Sequence, residues 1–140
     1  FIAITGTSSG IGEAILQELS NVNCTIFAID RTSKEHKSAQ AKIVPILCDV
    51  TKDEDLIRTS QEILKITDKL DVLFNNAGIT AHGRFDETNI SVFRKTFDIN
   101  FFGAVHLTSL LVEAVKKAKG TFIVTSTVSG LYGIPGRAAY

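Results

Sequence analysis

The chain reads as an α/β protein built on a doubly wound parallel sheet. Three observations predict this. Short apolar runs alternate with longer amphipathic segments along all 140 residues, the pattern of strands joined by crossover helices. The apolar runs are continuous rather than alternating, so both sheet faces should be covered. A glycine-rich stretch, Thr5-Gly-Thr-Ser-Ser-Gly-Ile-Gly12, joins the first run to the first amphipathic segment.

The first strand is expected at Phe1 to Ile4. Behind the glycine turn, Ile11, Ala14, Ile15 and Leu19 repeat at helical spacing. A turn of this kind offers free backbone N–H groups at a helix N-terminus, which suits a phosphate. It lacks the Gly-Lys-Ser/Thr of a P-loop, because no Lys precedes Lys34. Cys24 to Ile29 is the second strand and ends in Asp30. Residues 31–42 are polar and basic and are expected to form a short surface helix or turn, with Lys34-Glu-His-Lys37 a solvated charge run. Ile43 to Leu47 is the third strand. Pro45 within it cannot donate to a ladder, which places this strand near the sheet edge.

Thr51-Lys-Asp-Glu54 reads as a capping box with Thr51 as N-cap. The helix behind it presents Leu56, Ile57, Ile63 and Leu64 on one face. Leu70 to Phe74 is the fourth strand, followed by Asn75-Asn-Ala-Gly78 and a loop over 79–88. A long helical pattern runs from about Asn89 to Lys119, with Gly103 a point of irregularity. Thr121 to Thr125 is the fifth strand.

Composition is that of an ordinary folded domain, with 44% hydrophobic and 21% charged residues. Fifteen basic and fifteen acidic residues cancel, which argues against a general affinity for nucleic acid or anionic membrane. No uninterrupted apolar run reaches the roughly 18 to 20 residues of a membrane span. Cys24 and Cys48 are expected as reduced, unpaired thiols, fitting a cytoplasmic setting. No metal-ligand set is expected. The chain starts inside a strand and stops at Tyr140, and is expected to be a C-terminally incomplete single domain over residues 1–140.

In an open α/β sheet, ligands bind outside the carboxyl ends of the strands. Five features fall at such ends: the glycine turn, Asp30, Asp49-Val50, Asn75-Asn-Ala-Gly78 and Ser126-Thr127. Asp30 lies eighteen residues beyond Gly12, close to the spacing of an acidic residue that binds a ribose hydroxyl in a dinucleotide fold.

Taken together, these motifs resemble the short-chain dehydrogenase/reductase family of the single-domain type, from Thr5 to Tyr140. The resemblance implies a Rossmann-like sheet of strand order 3-2-1-4-5, cut before its last strands. It implies that Gly6, Thr7, Ser9, Gly10, Ile11 and Gly12 hold the cofactor's pyrophosphate and adenosine end. Asp30 and Arg31 would meet the adenosine ribose, and Asp49 with Val50 the adenine. Asn76, Ala77 and Gly78 would run along the cofactor, and Asn100 would orient a water in a proton relay.

For the catalytic pair, the family places a serine thirteen residues before a tyrosine. Tyr140 fits the tyrosine, and the count returns Thr127, with Ser126 beside it as the fallback. Threonine keeps the hydroxyl donor, though its χ1 is stiffer. The family's lysine would fall four residues beyond Tyr140. A phenol, with an ordinary pKa near 10, needs such a positive charge to act at neutral pH, so these 140 residues alone are expected to turn over little substrate.

The implied activity is NAD(P)-dependent hydride transfer between a carbonyl and a secondary alcohol, with Tyr140 as general acid/base. The alternative is a non-catalytic dinucleotide-binding module, a redox sensor or regulatory subunit. A related sugar-nucleotide epimerase fits less well, because its turn is usually one residue shorter. NAD is the expected cofactor, since Asp30 would repel a 2′-phosphate; NADP is the alternative, through Arg31. The partners expected are a small carbonyl or alcohol substrate and further copies of the chain, as a homodimer or homotetramer. Ile79 to Gly83 and Leu131 to Gly136 are expected to line part of the substrate pocket.

Overall fold

The computed structural model describes residues 1–32 and 34–140. Its five strands are β1 (Ile2–Thr5), β2 (Thr25–Asp30), β3 (Lys42–Leu47), β4 (Val72–Asn75) and β5 (Thr121–Val124). They form one sheet in the order β3-β2-β1-β4-β5, parallel at every junction. That is the expected order. Pro45 sits on β3, which pairs only with β2 at the sheet edge, as its missing N–H demands.

Apolar side chains leave the strands on alternate faces. Ala3, Phe27, Ile29 and Leu73 join Leu56 and Ile63 of α2 (Asp53–Ile66) and Leu107, Leu111 and Val115 of α4 (Gly103–Ala118). On the other face Ile4, Ile26 and Ala28 meet Leu16 of α1 (Gly10–Leu19). Both faces of the central strands are therefore dry, which explains the continuous apolar runs. Cys24 and Cys48 are unpaired.

The buried helix faces differ from the periodic readings. In α1 the buried residues are Gly12 and Leu16, while Ile11 is 61% exposed. The inner contact of the helix start is Gly12 against the Gly6 carbonyl, just past β1, while Ile11 faces outward. In α2, Leu56 and Ile63 are buried but Ile57 and Leu64 are exposed. The capping box does not form. Lys52 is the N-cap, without a side-chain bond, and the Thr51 hydroxyl, one residue outside it, donates to Asp49 Oδ1 at 2.7 Å. Short polar side chains commonly make such local turns in preference to a cap. Three acidic residues in the first turn of α2, Asp53, Glu54 and Asp55, complement the helix dipole.

Residues 31–41 contain no helix among the described positions, and Ser33 lies outside those positions. Lys34 is not merely solvated. Its ammonium donates to the Ser8 carbonyl and pairs with Glu13.

The long helical stretch is three segments: α3 (Ile90–Phe97), a π-turn over Asp98–Phe102, and α4. Asn89 caps α3, accepting from the Ser91 N–H. Gly103 closes the wide turn, and a Cβ there would stand 2.7 Å from the Val50 carbonyl. The whole stretch, Ile90–Ala118, is long and apolar enough to cross a membrane by length and composition, which corrects the count of uninterrupted runs. No Asp, Glu, Lys or Arg lies between Asp98 and Glu113, while charges at both flanks break the run. In the fold its inner face belongs to the core, through Leu107, Leu111, Ala114 and Val115.

Candidate active site

Crossovers leave β1 toward β2 on one side and reach β4 on the other, so the strand order reverses between β1 and β4. Ligands of open sheets sit at this switch point. A cleft of about 1030 Å³ opens here along the carboxyl ends of the strands.

The glycine turn forms one wall. Gly6 leaves β1 with φ +75°, and a Cβ on it would meet Ala77 Cα at 2.9 Å. Gly12 is tighter still: a Cβ would fall 2.0 Å from the Gly6 carbonyl oxygen and 2.6 Å from Asn76 Nδ2. These two positions let helix, turn and the Asn76-Ala77 segment meet backbone to backbone. The Ser9 side chain makes no cap bond, and the N–H groups of the first helical turn have no intrahelical acceptor. Ser9, Gly10 and Ile11 border the cleft. A cradle that a methyl group would fill, ending in free donors, fits a pyrophosphate.

Not every candidate in the turn reaches the cleft. Thr7 is 1% exposed, with its hydroxyl oxygen unpartnered among the described residues. Gly12 packs beneath Gly6. Both shape the turn from behind.

Asp30 ends β2 on the cleft wall. Its Oδ2 accepts from the Ser8 N–H at 2.9 Å, and its Oδ1 from the N–H and hydroxyl of Thr32, each at 3.0 Å. Burial pushes its pKa up, but these donors outweigh burial and hold it below the ordinary carboxylate value. Arg31 borders the same space. Asp49 follows β3. The Thr51 hydroxyl and N–H donate to its carboxylate and lower its pKa. Its backbone N–H is fixed by Asp55 Oδ2 at 2.9 Å, and Arg58 ties Asp55 to the Leu47 carbonyl. Val50 lies alongside.

Asn76 crosses the floor. Its amide nitrogen donates to the Thr5 and Gly6 carbonyls at 3.1 and 3.3 Å, and its Oδ1 accepts from the Thr125 hydroxyl at 2.9 Å. The Thr5 hydroxyl accepts the N–H groups of Asn76 and Ala77. Gly78 borders the cleft beside Asn100. From the π-turn, Asn100 accepts the Ile79 N–H at 2.8 Å and donates to the Ile79 carbonyl at 2.9 Å. The wide turn carries that amide across to the chain leaving β4. Ser126, Thr127 and Tyr140 border the cleft as well. Thr127 accepts from the Ser129 N–H at 3.2 Å, and Tyr140 is 40% exposed.

The model of the family described as short chain dehydrogenase matches residues 1–140. The chain belongs to the short-chain dehydrogenase/reductase family. The dehydrogenase/reductase SDR family member 7B of Xenopus tropicalis is 32% identical over 99% of this chain. An alcohol dehydrogenase from the archaeon Thermococcus sibiricus, complexed with 5-hydroxy-NADP, superposes with a TM-score of 0.88 at 23% identity over 99% of this chain. An NADH-dependent reductase A1-R′ complexed with NAD gives 0.86 at 22% identity, again over 99%. Of these two neighbours of the same fold, one was solved with an NADP derivative and the other with NAD. The chain spans 50% of the Xenopus protein and 63% and 64% of the two structures.

Several cleft residues were missed in the sequence. Ser8 and Thr125 act through a backbone N–H and a hydroxyl toward partners 22 and 49 positions away; the glycine turn and the strand end placed them nearby, but no local window gives their partners. Arg94 and Lys95 border the cleft from α3; their position one turn before the Asp98-Ile-Asn motif is a usable signal. The Leu131–Gly136 segment was expected at the pocket but does not border this cleft; Leu131 is 80% and Tyr132 74% exposed.

Proposed function

We propose that this chain carries the cofactor-binding and proton-transfer residues of an NAD(P)-dependent oxidoreductase that interconverts a carbonyl and a secondary alcohol. The observation that carries this reading is a single cleft bordered by the glycine turn, Asp30, Asp49, Asn76, Asn100, Thr127 and Tyr140. A bound nicotinamide would supply the hydride chemistry.

In this reading the first-turn N–H groups of α1 take the pyrophosphate, and Asp49 accepts from the adenine amino group. Asp30 takes the adenosine ribose. Three donors already reach its carboxylate, and a carboxylate offers about four acceptor sites, which leaves capacity on Oδ2 for a ribose hydroxyl. A retained negative charge there disfavours a 2′-phosphate, so NAD is the preferred cofactor, with Arg31 the route to NADP. Thr127, or Ser126 beside it, donates to the substrate oxygen. Tyr140 gives that oxygen a proton in reduction and takes it in oxidation. Asn100, with both amide atoms on Ile79, fixes the backbone at the cleft floor where a relay water would stand.

A homo-oligomer completes the proposal. Phe97, Phe102 and Val105 of the long helix are each more than half exposed and do not border the cleft, apolar surface that favours a second copy as its cover.

The test uses the full-length protein with reduced nicotinamide and a panel of ketones. Tyr140→Phe should lower turnover roughly 10²-fold or more, with cofactor affinity unchanged. Turnover by Tyr140→Phe at the parental rate would sink the reading.

A further inference from the structure

We propose that Arg137 is a positioning residue for Tyr140, tying the orientation of the phenol to the loop that follows β4. This rests on the reading of Tyr140 as the proton donor and acceptor.

Tyr140 borders the cleft, and its phenol must point into that space to serve the reaction. A phenol oxygen lies far from its Cα, and a modest torsion moves it by ångströms. A charged group stands against the ring. The Arg137 guanidinium carbon stands 5.5 Å from the ring centroid, over its face, where a cation is attracted by the π-system. The same guanidinium donates through Nη1 to the Thr80 hydroxyl. Thr80 borders the cleft on the segment leaving β4. A planar fork can stack and donate in its plane together, which a lysine ammonium cannot.

The backbone reinforces this tie. The Gly83 N–H donates to the Gly136 carbonyl at 2.8 Å, and Gly83 bridges Arg137 in parallel register. The Tyr140 N–H donates to the Arg137 carbonyl at 3.1 Å, closing a turn on Tyr140 itself. Ala139, 3% exposed, anchors that turn. Residue 137 is thus fixed to the 80–83 loop by its backbone, and its side chain passes the constraint to the phenol.

Full-length protein carrying Arg137→Ala should lose turnover by roughly 10- to 100-fold, the cost of an ångström-scale misplacement. Cofactor affinity and the KM for a model ketone should stay within about threefold. Arg137→Lys should recover part of the loss by restoring a cation over the ring. Thr80→Val, at an exposed site, removes only the tether and should lower kcat in the same direction; it decides the matter if Arg137→Ala does not fold. Unchanged kcat in Thr80→Val, or in a folded Arg137→Ala, overturns the proposal, and so does a loss confined to cofactor affinity. Tyr140→Phe separates the two layers. If it is inactive while Arg137→Ala matches the parent, only the positioning role fails. If it is fully active, the reading of the site fails as well.

Discussion

Gly12→Ala tests the close approach on which the cofactor turn is built. Helix propensity alone favours the change by about 1 kcal/mol, because alanine replaces glycine inside α1. The structure predicts the opposite sign. The new Cβ would stand 2.0 Å from the Gly6 carbonyl oxygen, and a real Cβ essentially never comes within 3.0 Å of a neighbour. The helix must therefore retreat by about 1 Å. Overpacking of this kind costs about 1–3 kcal/mol. The same Cβ would lie 2.6 Å from Asn76 Nδ2, whose bonds to Thr5 and Gly6 contribute about 1 kcal/mol each. The net effect is a loss of roughly 2–4 kcal/mol, a sizeable share of a stability of about 5–15 kcal/mol. In a domain of this size that lowers Tm by roughly 6–16 °C. Differential scanning calorimetry of the parent and the variant reads it directly, and nucleotide titration should show weakened binding because the turn is displaced. A Tm equal to or above the parent's would refute the argument, since propensity would then have won over the contact.

Asp30→Ala should shift cofactor preference toward NADP, read as the ratio of kcat/KM for the two reduced nucleotides; an unchanged ratio removes Asp30 from specificity. Acid should destabilise the fold through Asp30 and Asp49, whose folded pKa values are both lowered. Their contribution is complete above the unfolded value of about 3.9 and is lost as pH falls through the folded value. Denaturant midpoints measured below about pH 4 should therefore fall less steeply in Asp30→Asn than in the parent. Cys48 is 1% exposed, and burial pushes its thiol pKa up, so iodoacetamide should label the part-exposed Cys24 first and Cys48 only on unfolding, as peptide mass spectrometry will show.

What could be read from the sequence, and what could not, divides along a physical line. Gly6, Pro45, Gly103 and the strand-end Asp30 occupy places where backbone geometry or strand topology restricts the residue type, and each was legible from a local window. The residues that hold the site rigid act across long separations. Lys34 reaches the glycine turn at Ser8 and Glu13, Asp55 holds the Asp49 backbone from inside α2, and Arg137 reaches Thr80. In a window, each is an ordinary charged surface residue. The capping box failed for a related reason: as N-cap the Thr51 hydroxyl would accept a backbone N–H, but it lies one residue outside the helix and donates to Asp49, and a local window does not rank the two arrangements. Ser8 shows how these tethers act together. Its N–H is taken by Asp30 and its carbonyl by Lys34, so the peptide planes on either side of it are both fixed. Because C=O and N–H point in opposite directions across a trans peptide, holding the Ser8 carbonyl also orients the Ser9 N–H. The glycines permit the phosphate turn, but Asp30 at the end of β2 and Lys34 beyond it hold it in shape.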